Sequence, residues 1–149
     1  ARPMNAGPFE VPATAAGRDA SNGPDCVRAL QARMPDVPIR VISGEEEADY
    51  AATGVLCGLP EADGLVADIG GGSLELIRIA DGKHQEACTT PLGVIRLNDR
   101  AGGDLAKARA LADTALSAIP WPTNLHGKPL SMVGGAFRAR ARLQTARTQ

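Results

Sequence analysis

Residues 64–77 read Gly64-Leu65-Val66-Ala67-Asp68-Ile69-Gly70-Gly71-Gly72-Ser73-Leu74-Glu75-Leu76-Ile77. An apolar run ends in an aspartate, passes through three glycines and a serine, and resumes as a second apolar run. This pattern predicts a β-strand, a tight loop and a returning β-strand. Three glycines can take φ > 0 and let backbone N–H groups approach a ligand closely, as a loop does when it cradles phosphate oxygens. Asp68 ends the first strand, where a carboxylate can hold a hard cation directly or through its waters. Side chains alternate along a strand, so Ser73 and Glu75 project to one side. The expectation is an Mg²⁺–phosphate site between two lobes; the alternative is a hairpin whose glycines only relieve strain. No Gly-Lys-Ser/Thr follows, so this is not a Walker loop. A strand rather than a helix comes next, which excludes a dinucleotide fingerprint.

With 149 residues the chain can bury one core or parts of two small ones. A net charge of -1 gives no case for general nucleic-acid binding, and 3% aromatic residues leave little for base stacking. Cys26, Cys57 and Cys88 form no Cys-x-x-Cys, and His84 and His126 have no metal-ligand spacing with them. Reduced, mostly buried thiols in a cytoplasmic protein are the expectation. No apolar stretch reaches the length of a membrane span, and the N-terminus lacks a basic-then-apolar signal. The chain starts at Ala1 without an initiator methionine, which suggests a piece of a longer protein.

Along the chain, Val11–Ala15 reads as a short strand that Pro12 restricts to an edge. Residues 24–34 read as a helix with Cys26, Val27, Leu30 and Met34 on one face, stopped by Pro35 and Pro38. Ile39–Ile42 is a β-branched strand. Ser43 then precedes a helix over about 45–57, with Ser43 and Glu46 in capping-box relation. After the glycine-loop hairpin, Asp81-Gly82 turns into a third strand over about 85–90. Pro91-Leu92-Gly93 opens a short apolar segment. A helix over about 104–119 is expected to face Leu105, Ala108, Leu111, Ala112, Ala115 and Ile119 inward, and to end at Pro120-Trp121-Pro122. A strand at 130–133 leads through Gly134-Gly135 into a final helix. The first part alternates as a parallel α/β sheet would, and three consecutive strands start a second, mixed sheet. A boundary near residues 59–63 follows.

Ser43-Gly44-Glu45-Glu46-Glu47-Ala48 puts three acids in a first helical turn, where they complement the macrodipole. Adjacent helical positions point about 100° apart, so two can be solvated while one faces a cleft. If Glu47 faces the glycine loop, neighbouring negative charge would raise its pKa and suit it to general-base work. Arg18 stands among small residues (Ala13 to Gly23), which opens its planar fork to an anion. Gly134-Gly135-Ala136-Phe137-Arg138 is a strand–glycine–helix junction and a possible second anion edge. Arg138, Arg140, Arg142 and Arg147 follow without acids; they read as a solvated helix face or as a polyanion track.

Ala13-Thr14, Arg18-Asp19-Ala20 and Asn22-Gly23, then Val41 to Ala48, Asp68 to Leu76, Pro91 to Leu97 and Gly134 to Arg138, together and in this order, resemble the exopolyphosphatase and guanosine pentaphosphate phosphohydrolase family. The resemblance covers most of the chain from Ala13 to Leu143. It implies an α/β, ribonuclease H-like fold of the actin-like ATPase superfamily, with two lobes of mixed sheets and flanking helices. Residues 1–60 would be the C-terminal part of the first lobe and 61–149 the N-terminal part of the second, so the two-lobe architecture would be incomplete. The family opens with another phosphate loop, Asp-x-Gly-Ser-x-Ser, absent here. Gly17 stands where a branched aliphatic is usual, and Ala136 where a hydroxyl residue is usual.

By the resemblance, Glu47 would activate water, Arg18 would hold the phosphoryl group, and Asp68 would serve Mg²⁺. Gly70, Gly71, Gly72 and Ser73 would bind phosphate, and Glu75 would help position water or metal. The implied reaction is hydrolysis of terminal phosphoanhydride bonds of inorganic polyphosphate or guanosine pentaphosphate, with little turnover expected from these residues alone. The alternatives are a non-catalytic phosphate-binding regulatory piece and an ATP-using relative of the actin and sugar kinase superfamily. Exposed apolar edges suggest a homo-oligomer. No membrane or specific nucleic-acid partner is expected.

Overall fold

The computed structural model describes residues 7–120 and 125–148. Its contacts divide the chain into two compact units, residues 1–43 and 44–149.

The first unit holds β1 (Val11–Ala13), α1 (Ala15–Asp19), α2 (Gly23–Arg33) and β2 (Ile39–Val41). β1 and β2 pair in parallel, Val11 opposite Ile39 and Ala13 opposite Val41. In a two-stranded sheet both strands are edges, so Pro12 sits in β1 without breaking an inner ladder. Pro24 lies in the first turn of α2, where its missing N–H costs nothing. Val27, Leu30, Gln31 and Met34 are the half-buried row of α2. Cys26 is exposed, because that row is centred one residue later than the sequence suggests. Cys57 is exposed and Cys88 half-buried, so the expectation of mostly buried thiols does not hold.

The second unit is built on a four-stranded sheet ordered β5-β4-β3-β6. Its strands are β3 (Gly64–Ile69), β4 (Leu74–Ala80), β5 (Lys83–Thr90) and β6 (Leu130–Val133). β3, β4 and β5 form an antiparallel meander, and β6 adds in parallel to β3 with Asp68 opposite Val133. Asp81 and Gly82 both have positive φ, 53° and 68°, the conformation of a two-residue hairpin turn that follows strand twist. The helices are α3 (Gly44–Gly58), α4 (Val94–Ala101), α5 (Leu105–Ser117) and α6 (Gly135–Thr148). Among the described residues, no helix is long and apolar enough to cross a membrane.

Register sets which face carries the core. Val66 lies opposite Ile77 and Gly64 opposite Ile79, so these residues share one face, and Ala48 and Ala52 of α3 pack onto it with Val66, Ile77 and Ile79. Because α3 lies on this sheet, the division of contacts falls after Ser43, not near residues 59–63. At the start of β3, Asp63 accepts from Lys128 and from Arg78 Nη1, the latter at 2.7 Å. These two cations, Lys128 foremost, hold its carboxyl below the ordinary aspartate value.

Three further expectations change. The short apolar segment at 94–97 is the start of α4, and residues 15–19 form a helix. Leu105 is 85% exposed rather than inward. It lies at the first position of α5, outside the half-buried row Ala108, Leu111, Ala112 and Ala115. Asp104 caps α5, accepting from the N–H groups of Ala106 and Lys107 at 2.8 and 3.1 Å. The Trp121-Pro122 stop lies outside the described residues.

Candidate active site

The glycine loop is held from behind by α4. Gly70 N–H donates to Ser73 O at 3.0 Å and closes the turn. Val94 N–H donates to Gly70 O at 3.0 Å, and Ile95 and Arg96 N–H donate to Gly71 O at 3.0 and 3.1 Å. These are first-turn helix donors, which have no partner inside the helix, and the loop carbonyls satisfy them. In a trans peptide the C=O of one residue and the N–H of the next point opposite ways, and among the described residues no cis bond is present. The carbonyls of Gly70 and Gly71 face α4, so the N–H groups of Gly71 and Gly72 face away from it. Two adjacent amides presented on one side of a turn are suited to an oxyanion.

Gly93 makes this joint possible. A Cβ there would lie 2.3 Å from Gly72 C and Ser73 N, and 2.4 Å from Gly71 C. Sequence reasoning missed this role, although a glycine directly before a short apolar helix was the available signal. Gly70, Gly71 and Gly72 are not among the glycines with positive φ, so the loop does not use the left-handed freedom expected of it. That freedom is used at Gly134, where φ is 97°.

Asp68 and Glu75 are directly opposite each other across β3 and β4, so both carboxylates project from the same face. Glu75 is 1% exposed. Asp68 is half-buried, and that burial raises its pKa, with the Arg138 cation opposing the shift. A Cβ on Gly134 would lie 2.7 Å from Ile69 O and 3.0 Å from Asp68 Oδ1. The two glycine motifs, distant in the chain, therefore meet at Asp68 because β6 pairs with β3. Ser73 is 2% exposed, whereas Gly70 is open and Gly71 and Gly72 are half-buried.

The first turn of α3 lies over the same row. Glu75 is opposite Thr89, and a Cβ on Gly44 would come within 2.4 Å of Thr89 Oγ1. The helix start is thus at the Asp68–Glu75–Thr89 end of the sheet. Glu47 shares an i, i+4 row with Ala51 and Val55, which pack against the core. Glu45 is exposed, and Glu46 and Glu47 are half-buried.

Arg18 belongs to the first unit. Its Nη1 donates to Ile42 O at 2.9 Å, its Nε lies 3.3 Å from Asp19 Oδ1, and its side chain is 22% exposed. Among the described residues, no group of three or more His, Cys, Asp and Glu could hold a metal ion. Mg²⁺ does not need such a cage, since one or two carboxylates plus substrate phosphates suffice. The Asp68–Glu75 pair fits that requirement. A separate cavity of about 590 Å³ lies at the other end of β3, lined mainly by apolar groups including Leu59, Pro60, Val66 and Pro129, away from these carboxylates.

Known proteins share this fold. Residues 9–148 match the model of the Ppx/GppA phosphatase family. An exopolyphosphatase-like protein of known structure is 30% identical, with a TM-score of 0.61 over 72% of this chain and 38% of that one. The exopolyphosphatase from Cytophaga hutchinsonii has the same fold, with a TM-score of 0.79 at 24% identity over 98% of this chain and 50% of that one. The Aquifex aeolicus Ppx/GppA enzyme is 25% identical, with a TM-score of 0.62 over 85% of this chain and 43% of that one. The chain spans half or less of the length of each. From the near-complete family match and the shared α/β fold, the chain belongs to the Ppx/GppA phosphatase family.

Proposed function

We propose that this chain carries the catalytic residues for hydrolysis of terminal phosphoanhydride bonds in inorganic polyphosphate or guanosine pentaphosphate. The observation that supports this most is the single row formed by Asp68, Glu75 and the first turn of α3, next to a loop whose Gly71 and Gly72 amides face away from their support. Phosphoryl transfer requires little covalent chemistry from a protein; positioning and charge stabilisation do most of the work. Glu47 takes the proton from water attacking in line with the leaving oxygen. The Gly71 and Gly72 amides bind the oxygens of the transferred group, which gain hydrogen-bond strength as charge builds. Gly70 and Ser73 close the turn that aims those amides. Within the first unit the Arg18 guanidinium, oriented by Ile42 O and Asp19, is a candidate anion contact in its own right. Asp68 would hold Mg²⁺, with Glu75 beside it orienting metal or water. The ion would supply neutralisation of the phosphate oxygens.

Family relatives are about twice as long, so the turnover test uses the protein as its gene encodes it. Orthophosphate release from long-chain polyphosphate and from guanosine pentaphosphate is measured with Mg²⁺ and with chelator. Release from at least one of them, lost on chelation, is the expected result. No release from either would leave a phosphate-binding protein without the reaction.

A further inference from the structure

His84 belongs to no motif of the proposed reaction, and a break in strand register decides where it points. β5 pairs with β4 in two registers: Ile77 lies opposite Ala87, but Ile79 lies opposite His84. Two steps along β4 are thus matched by three along β5, so that Gln85 and Glu86 together oppose Arg78. In an unbroken ladder Ile79 would meet Gln85, and His84 would project from the opposite face. The extra residue is a bulge, a device that re-aims side chains near functional sites. It puts His84 on the face of Ile77 and Ile79, where α3 packs.

On that face His84 meets α3. Its Nδ1 lies 3.0 Å from Asp49 Oδ1, and Asp49 follows Ala48, which is buried against the sheet. A second tie stands at the helix start, where Gly44 is pressed onto Thr89. Thr89 and His84 are both β5 residues, so one strand fastens α3 at two points, and Glu47 lies between them in the chain. Asp49 is the ionisable group that α3 sets against His84, while β4 sets the apolar Ile79 opposite it. α3 also carries Glu45, Glu46, Glu47 and Tyr50 near this end; β5 carries Lys83 and Glu86, and the turn before it Asp81. A histidine changes charge between about pH 5 and 8. A tie made by one is therefore an ion pair on the acid side of that range and a neutral hydrogen bond on the alkaline side.

We infer that His84 is a positioning residue for this site: through Asp49 it fixes the stretch of α3 that carries Glu47, and it does so most firmly as a cation. This rests on the proposed phosphohydrolase reading and adds to it a device by which pH regulates turnover. His84 acts through the helix and touches neither substrate nor metal. The Gly71 and Gly72 amides are set by α4 rather than by α3, so loosening the tie slows turnover without weakening phosphate binding.

Three variants of the protein as its gene encodes it test this. Phosphate release from polyphosphate or guanosine pentaphosphate is measured at about pH 6 and about pH 8, on either side of the ordinary histidine range, and Mg²⁺-pyrophosphate is titrated alongside. His84→Gln keeps a donor without the charge, and His84→Lys keeps a cation throughout. Lys83→Gln removes a neighbouring charge that the strand directs to the other face. His84→Gln is expected to lower kcat about 3- to 5-fold at the acid pH, the scale of an exposed ion pair, and less at the alkaline pH. Its pyrophosphate affinity should stay within about 2-fold of the wild type, as should both readouts for Lys83→Gln. His84→Lys should match the wild type at the acid pH and exceed its kcat about 2- to 3-fold at the alkaline pH. Unchanged kcat in His84→Gln, equal loss in Lys83→Gln, or an equal loss of pyrophosphate affinity overturns the inference. His84→Lys behaving like His84→Gln overturns it too. Absence of phosphate release by the wild type counts against the phosphohydrolase reading instead, and amide hydrogen exchange then reads the tie. Faster exchange over residues 46–50 in His84→Gln than in the wild type at the acid pH supports it, and equal exchange overturns it.

Discussion

Asp68 is held at a cost. Its carboxylate is partly withdrawn from water at the end of β3, which raises its pKa, and the Arg138 cation only partly offsets that. A carboxyl with a raised folded pKa destabilises the native state once it ionises, and the penalty is absent when both folded and unfolded forms are protonated. Asp68→Asn should therefore leave the urea midpoint at pH 7 equal or higher than that of the wild type. Any gain should shrink as pH falls through the raised folded value and vanish below the ordinary aspartate value of 3.8. Mg²⁺ dependence of phosphate release should be lost in the same variant. A variant that melts early yet keeps its metal response would place Asp68 in the structure rather than in the site. Strained cost at a site residue is common where function requires a poised charge.

The element that backs the glycine loop is α4. Three of its N–H donors are committed to Gly70 and Gly71 carbonyls, and Gly93 lets the helix start press directly on the loop backbone. Gly93→Ala would force those backbones apart; overpacking of this kind costs about 1–3 kcal/mol. The expected outcome is a melting temperature lower by several degrees and Mg²⁺-pyrophosphate affinity reduced by more than tenfold. Unchanged pyrophosphate binding in a folded Gly93→Ala protein would show that the amides do not need this backing. The hairpin itself was legible from sequence because period-two apolar runs and a glycine turn are local signals. α4 was not legible, since Val94, Ile95 and Leu97 are too few to show a helical period and the loop carbonyls that satisfy its first turn come from another element.

At the scale of the whole chain, long-range pairing decides what the residues become. Parallel addition of β6 beside β3 brings Gly134 to Asp68, and no local pattern announces that pairing. The same holds for α3: its sheet-facing residues Ala48 and Ala52 are small, a weak hydrophobic signal, so the helix read as part of the preceding unit rather than of the sheet it covers. Acids, glycines and arginines in fixed spacing carry chemistry that a residue reading can weigh, whereas a boundary depends on packing between distant elements. Choosing Glu47 among three adjacent acids needed the resemblance.

The claim on which the account depends is that Glu47 acts on water at this site. It is tested by steady-state phosphate release by Glu47→Gln in the protein as encoded, with substrate affinity measured separately. Glutamine keeps the size and hydrogen bonding of the side chain but cannot take the proton, and general-base catalysis contributes about 10²–10⁴ in rate. The account predicts a fall of that size in kcat with affinity within a few-fold. Near-normal turnover would contradict it, and would leave Glu47 as a charge at the start of α3 and nothing more.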